Sequence, residues 1–280
     1  MLRRAFTAPL RSSARSYSQQ AFLEPVSTQP GITCLSLNRP EAKNAISLTL
    51  LKELRESLET VKSDASVRTL ILRSTSPNSF CAGADLVERR TMSDSQVAAF
   101  LTDLRAALGL LESLPMPTIA AIDGPALGGG LEMALACDLR VAAFSVQKIG
   151  LPETGLGIIP GAGGTQRATR LLGQSKAKDL IFTGRSLNAQ DAFEWGLVDY
   201  VSDPEQTAFD KALSLGEMIA RNAPLAVRAA KLVISRSEDL PLETGLDFER
   251  AAYNLLIPSQ DRVEALQAFK EKRKPQFKGE

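Results

Sequence analysis

Hydrophobic residues along this chain follow two alternating spacings, which predict strands alternating with helices in the first half. Short continuous apolar runs predict buried strands at 31–38, 68–73, 118–122 and 139–143. Apolar residues recurring every three or four positions predict a helix after Asn44–Ser47, a second at 94–113, and a short third after three consecutive glycines. This order favours an α/β core.

From about Gly164 onward the pattern is almost wholly helical. The spacing predicts helices at 164–172, 175–182, 189–195, 206–222, 224–236, 241–255 and 260–270. One strand-like interruption lies near Val198–Val201. No run of about 18 apolar residues occurs, so we expect no membrane span.

The first seventeen residues differ in composition from the rest of the chain. They carry four arginines and several serines, and no acidic residue occurs before Glu24. This composition predicts a mitochondrial transit peptide over 1–17 and a matrix location; a basic nucleic-acid arm is the alternative. Cleavage near Tyr17 leaves 29 basic against 32 acidic residues, a net charge of −3, which disfavours general nucleic-acid binding.

The residue inventory limits the possible chemistry. The 280 residues include no histidine, which excludes Ser-His-Asp and Cys-His sites and the usual zinc sites. Three distant cysteines indicate neither a disulfide framework nor a CxxC site. Acid–base chemistry therefore falls to carboxylates, lysines, tyrosines or cysteines.

The stretch Gly124–Arg140 offers such chemistry. Gly128–Gly130 precede a helical run that contains Glu132. Backbone N–H groups at a helix start lack intrahelical partners and suit a negative oxygen, and glycine lets a ligand approach closely. The stretch could thus combine an oxyanion donor with a proton-transferring acid. The alternative is a tight turn with a surface glutamate.

Three further segments add to this stretch: FCAGADL (80–86), GLPETGLG (150–157) and IIPGAGGTQR (158–167). Each alone is more often a structural turn, with Asp85 as a helix cap in the first. The third does not complete GxGxxG, because Gln166 stands at the last glycine position, and no GxxxxGK[ST] motif occurs.

Together with NRPEAKNAIS (38–47) and the C-terminal AFKEKRKPQFKGE (268–280), these segments resemble the enoyl-CoA hydratase/isomerase (crotonase) superfamily. The resemblance implies an α/β crotonase (ClpP-like) fold with a spiral β-β-α core over 18–205. It also implies a helical region over 206–280 that packs on neighbouring subunits in a homotrimer or homohexamer. It implies no metal or redox cofactor, since CoA enters with the substrate.

The resemblance also implies a site. The N–H groups of Ala84 and Gly129 would hold the thioester oxygen, Glu153 would donate a proton at Cα, and Glu132 would help to activate water. The implied CoA contacts are Lys43, Ala45, Ala82, Asp85 and Leu86, with Lys270 and Lys272 either near the phosphates or simply solvated.

Two glutamates favour a hydratase over an isomerase. Within the superfamily, the whole-chain likeness is greatest to mitochondrial hydratases of 3-methylglutaconyl-CoA, which act in leucine degradation. The alternative is a short-chain enoyl-CoA hydratase of β-oxidation. A different class, an RNA-binding protein with a relic site, is disfavoured because 47–68 carries four basic and four acidic residues.

Overall fold

Two sheets meet at the centre of this fold, in a computed structural model that describes residues 19–76 and 78–280. The predicted transit peptide lies outside the described residues. The strands are β1 (Ala21–Pro25), β2 (Ile32–Leu37), β3 (Thr69–Ser74), β4 (Thr118–Ile122), β5 (Ala126–Leu127), β6 (Leu139–Ala142), β7 (Ile149–Gly150), β8 (Ser186–Leu187) and β9 (Tyr200–Val201). The large sheet has the order β1-β2-β3-β4-β6-β9, parallel except at the β1–β2 pair, and the small sheet has the order β5-β7-β8.

The helices follow the predicted spacing closely. They are α1 (Leu48–Lys62), α2 (Leu86–Arg89), α3 (Asp94–Glu112), α4 (Gly129–Leu135), α5 (Gly164–Thr183), α6 (Ala189–Trp195), α7 (Ala208–Ala220), α8 (Pro224–Ile234), α9 (Leu242–Leu256) and α10 (Gln260–Lys270). The two predicted helices at 164–172 and 175–182 are both present within α5, where Gly173 has a non-helical backbone (φ 74°, ψ 164°) and separates them. Sequence analysis missed β1, α2 and the two-residue strands β5, β7 and β8.

The chain repeats one order of elements four times. A strand of the large sheet is followed by a residue or short strand of the second sheet, and then by a helix. β4 thus leads through β5 to α4, and β6 leads through β7 to α5. In the first two repeats the second-sheet position is a single bridge, Ile46 with Ala84 and Cys81 with Ala126. This is the spiral β-β-α core that the resemblance implies.

Local side-chain chemistry explains where the helices begin. The Ser47 hydroxyl accepts the Leu50 N–H (3.0 Å) and starts α1, whose apolar stripe is buried as predicted. Ser93 and Gln96 form a reciprocal capping box at the start of α3. α7 packs its small residues on the large sheet, and a β-carbon at Gly216 would lie 3.2 Å from Ile32 Cδ1. The division at 205/206, which groups α7 with the C-terminal helices, stays a prediction.

The C-terminal helices leave large apolar side chains uncovered. The exposed side chains on α9 and α10 are Leu242, Leu246, Tyr253, Leu255, Val263, Leu266 and Phe269. An apolar surface of this kind is typical of protein–protein interfaces. Of the helices in the described ranges, none is long and apolar enough to cross a membrane.

Two glycines in helices test how closely the repeats pack. A β-carbon at Gly130 would lie 2.2 Å from the Cys81 carbonyl oxygen, whereas a β-carbon at Gly109 would meet nothing within 4 Å. We expect Gly130→Ala to lower the free energy of unfolding by about 1–3 kcal/mol or more. Gly109→Ala should raise it by about 0.5–1 kcal/mol. Urea denaturation at one fixed protein concentration measures both; equal effects would contradict the packing described here.

Candidate active site

The loops that follow successive strands of the large sheet meet at the carboxyl ends of those strands, where α/β proteins commonly bind ligands. Backbone hydrogen bonds of 3.0 Å join these loops in pairs: Ala82 N to Lys43 O, Leu127 N to Cys81 O, and Gly128 N to Gly150 O. The structure therefore brings the motif segments at 38–47, 80–86, 124–140 and 150–157 together.

The N–H groups of Ala84 and Gly129 lie close together and are free. Ile46 donates to Gly83 O (2.7 Å) and accepts from Asp85 N (3.1 Å), so the N–H of Ala84 faces away from Ile46. Gly129 is the first residue of α4, where an N–H has no intrahelical partner. A β-carbon at Gly129 would lie 3.7 Å from Ala84 N. In the described part of the chain neither N–H has a protein acceptor, so both can donate to one ligand oxygen.

Glu132 is buried on α4, and the loop after Pro160 holds its carboxylate. Its Oε1 accepts the N–H groups of Ala162 (2.7 Å) and Gly164 (2.8 Å). Burial raises the pKa of Glu132, while these two N–H groups and the charge of Arg167 oppose the rise. Its Oε2 accepts no hydrogen bond from the described residues, which leaves that oxygen for water or substrate.

Glu153 lies in a different environment. It begins a 3-10 turn, Glu153–Leu156, and its Oε2 is buried without a hydrogen-bond partner. Burial, together with the negative charge of Glu132, raises the pKa of Glu153 to about 7. Gly128 makes room for it, because a β-carbon there would lie 2.9 Å from Glu153 Oε1.

This geometry suits proton transfer beside a carbonyl group. Glu132 and Glu153 are 21 residues apart in sequence, yet each carboxyl group lies in the electric field of the other. Near neutral pH the pair can hold one proton, so one member can act as an acid and the other as a base. The two free N–H groups can stabilise an oxygen on which negative charge develops.

The predicted CoA contacts differ in what the structure shows of them. Lys43, Ala45 and Ala82 lie on the loops that carry or adjoin the free N–H groups, and Leu86 begins α2 directly after Asp85. Both carboxylate oxygens of Asp85 are already engaged by protein donors, Oδ1 by the N–H groups at the start of α2 and Oδ2 by an arginine. The direct contact of Asp85 with CoA therefore stays a prediction, and only its cap function is confirmed.

The two C-terminal lysines have no contact with these loops among the hydrogen bonds and ion pairs of the described residues. Lys270 ends α10 and Lys272 follows it, and both side chains are exposed. Their contact with CoA phosphates stays a prediction.

Sequence analysis missed the polar groups that hold these loops. Buried Asn44 adopts a left-handed backbone (φ 55°), and its side chain donates to Ser74 Oγ (2.7 Å) and to Phe80 O (2.9 Å). Arg167 donates to Ala162 O (3.0 Å) and forms a two-pronged ion pair with Glu112. The signal for Asn44 was available, since asparagine is the non-glycine residue that best tolerates this conformation. No pattern in the sequence around Arg167 predicted its contacts with Ala162 and Glu112.

Comparisons with known proteins agree with this geometry. The sequence profile of the enoyl-CoA hydratase/isomerase family matches residues 27–280. The chain is 53% identical over 272 residues to the enoyl-CoA isomerase/hydratase fer4 of Mycosarcoma maydis, covering 94% of this chain and 98% of that protein. It is 51% identical over 253 residues to the mitochondrial methylglutaconyl-CoA hydratase of Homo sapiens, covering 89% of this chain and 74% of that protein. A crystal structure of an enoyl-CoA hydratase from Bacillus anthracis superposes with a TM-score of 0.90 at 47% identity, covering 94% of this chain and all of that one.

The raised pKa of Glu153 has a measurable effect on stability. The folded carboxyl titrates near pH 7 and the unfolded one near its ordinary value of 4.5, so the folded state binds more protons between these values. Stability from this group is therefore present below about pH 4.5 and falls as pH rises to about 7. We expect the melting temperature of Glu153→Gln to rise relative to wild type between pH 5 and pH 8. The matched control Glu59→Gln, on an exposed position of α1, should show no such trend.

Proposed function

Since the chain belongs to the enoyl-CoA hydratase/isomerase family and is a hydratase-type lyase, we propose that it adds water to 3-methylglutaconyl-CoA, forming 3-hydroxy-3-methylglutaryl-CoA. The identity of 51% to the human methylglutaconyl-CoA hydratase supports this substrate. The observation that carries the hydratase chemistry is the pair of carboxyl groups beside two free N–H groups.

In the proposed reaction the thioester oxygen accepts hydrogen bonds from Ala84 and Gly129. Glu132 takes a proton from water as the water oxygen bonds to Cβ, and the C=C electron pair moves toward the thioester. Glu153 delivers its proton to Cα. One water is consumed, and the two glutamates exchange which of them holds the proton. The addition changes no oxidation state overall, so we propose that it needs no metal or redox cofactor.

The oxyanion donors supply much of the expected acceleration. Removing one such donor typically costs about 100- to 1,000-fold in rate. Acid–base assistance by a positioned carboxyl contributes about 100- to 10,000-fold. Oxyanion stabilisation and acid–base assistance both act on the same enolate-like transition state. The increases in activation free energy on removing each of them should therefore not be additive.

We further propose a mitochondrial matrix location, which the arginine-rich N-terminus and the mitochondrial relatives support. We also propose assembly into a homotrimer or homohexamer, which the uncovered apolar side chains of α9 and α10 support. RNA binding is not part of the proposal. On α1, Lys52 pairs with Glu56 and Arg55 with Asp103, which leaves little free positive charge.

Replacing either glutamate should remove most hydration activity. We expect kcat/KM to fall by about 100- to 10,000-fold in Glu153→Gln and in Glu132→Gln, and the double variant to be little worse than either. In the wild type, kcat/KM should fall above about pH 7, where the pair loses its proton. Hydration and dehydration should show the same pH dependence, because both start from a pair of glutamates that holds one proton in total.

A further change in the pH profile distinguishes the two residues. Glu132→Gln removes the charge that helps to raise the pKa of Glu153, so the fall in residual kcat/KM should begin at lower pH. Steady-state assays of both directions from pH 5 to 9 measure these profiles. Full activity in Glu153→Gln would contradict the proposed roles.

Substrate choice is tested by comparing two thioesters. We expect kcat/KM for 3-methylglutaconyl-CoA to exceed that for crotonyl-CoA by at least about tenfold, the effect of about 1.4 kcal/mol of differential transition-state binding. Purified chain lacking residues 1–17 should be assayed with both at one pH. A strong preference for crotonyl-CoA would replace this substrate with the β-oxidation alternative while leaving the hydratase chemistry intact.

A further inference from the structure

The turn that carries Ala84 is partly open to solvent: its direct neighbours Gly83 and Asp85 are buried, but the next residues outward are not. Ala82 before it and Leu86 after it are both exposed. Burial of apolar surface stabilises in proportion to the area removed from water, so these two side chains fix the turn only weakly. Polar contacts therefore add to the packing of Gly83 and Ala84 in fixing the direction of the Ala84 N–H.

One set of contacts comes from Ile46, which bonds to the residues on either side of Ala84. Ile46 itself lies in a loop whose preceding residues, Lys43 and Asn44, have left-handed backbones. A left-handed conformation is unfavourable for most residues other than glycine, so the loop depends on polar contacts, and the Asn44 side chain supplies one set of them.

The Arg39 guanidinium supplies a second set, which joins the loop to the turn that carries Ala84. Arg39 Nη1 donates to Ala45 O (2.8 Å) and to Asp85 Oδ2 (2.7 Å). Ala45 immediately precedes Ile46, and Asp85 immediately follows Ala84. Only 18% of the Arg39 side chain and 10% of the Asp85 side chain are exposed, so solvent screens this ion pair weakly. Arg39 thus joins the two chain segments on both sides of the Ile46–Ala84 bridge.

We propose that Arg39 is a positioning residue for the reaction, because its ion pair with Asp85 and its bond to Ala45 hold the Ala84 N–H in line with the thioester oxygen. This inference rests on the proposed role of Ala84 as an oxyanion donor.

The charge of Arg39 has a second effect. The N–H of Glu88 and the Arg39 guanidinium hold the pKa of Asp85 below its ordinary value, so this residue is a carboxylate. It is adjacent in sequence to the residue whose N–H faces the developing negative oxygen. Without Arg39 the carboxylate would repel that oxygen, so Arg39 both fixes the turn and neutralises its neighbour.

The two effects predict an unusual pattern among variants. Arg39→Met removes the cation that faces Asp85 and leaves only the two N–H groups of the helix cap to offset its charge, so we expect kcat to fall by about 10- to 100-fold, less than the full loss of a donor. Asp85→Asn keeps a good helix cap but loses the ion pair together with the repulsive charge, so alone it should lower kcat by about three- to tenfold, less than Arg39→Met does. Added to Arg39→Met, Asp85→Asn should restore kcat by at least about threefold. KM should stay within about threefold throughout, since the thioester oxygen is held most strongly in the transition state.

A bound chromophore reports on the Ala84 N–H directly. A cinnamoyl-CoA with a para-dialkylamino group absorbs at longer wavelength when its carbonyl oxygen is polarised, so the enzyme should shift its absorption to the red. We expect Arg39→Met to lose most of this shift at saturating ligand, and the double variant to regain part of it. The matched control is Lys231→Met, which breaks a comparably buried contact of Lys231 with Met116 O (3.0 Å) and Asp138 (2.7 Å). It should leave kcat and the shift unchanged.

Each outcome decides one question. If wild type gives no red shift, the proposed oxyanion role fails, whatever Arg39 does. If wild type shifts the absorption and Arg39→Met matches it in kcat and shift, the positioning role is overturned. A double variant worse than Arg39→Met means that the pair is merely structural and also overturns it. If Arg39→Met does not fold, Asp85→Ala replaces it: a roughly tenfold lower kcat with a reduced shift supports the role, and wild-type values overturn it.

Discussion

The close approach of main chains at Gly128–Gly130 is the constraint on which the site depends. At Gly130 the α-carbon lies against the Cys81 carbonyl, and at Gly128 the backbone lies against the Glu153 carboxyl group. A side chain at Gly130 would separate neighbouring repeats of the spiral, and one at Gly128 would displace the Glu153 carboxyl group. Because α4 begins at this crossing, one helix supplies both a free N–H and the buried Glu132. The second N–H and the second carboxyl group come from the adjoining repeats.

The two glutamates differ because their backbone surroundings differ. Glu132 accepts two N–H groups on one oxygen, which partly replaces the water that burial removes. Glu153 has a buried oxygen with no partner and carries the larger penalty for being charged. A proton on the pair is therefore favoured at Glu153. Two glutamates thus differ in proton affinity through burial, local hydrogen bonding and mutual charge, which suits the proposed acid and base roles.

Features that depend on residues close together in the sequence could be predicted from it, whereas features that depend on distant residues could not. Helices with several periods of apolar residues were predicted well: α1 begins directly after Ser47 as expected, and α3 was predicted almost to both of its ends. Two-residue strands such as β5 and β7 contain too few residues to show a period. The proximity of Glu132 and Glu153 was predicted only from family resemblance. Contacts between different repeats produce no periodic pattern of residues along the sequence. The Arg39–Asp85 pair, 46 residues apart, was missed for the same reason.

A site of this kind needs a rigid scaffold, and the topology provides one away from the chemistry. β2, β3 and β4 are buried along nearly all of their length, as strands in a parallel sheet covered on both faces are. The rigid strands fix the positions at which the loops at their carboxyl ends begin. The loops themselves must stay open to a ligand. Apolar packing cannot hold them without closing the site. Hydrogen bonds and ion pairs that reach from the sheet ends into the loops, as those of Asn44 and Arg39 do, resolve this conflict.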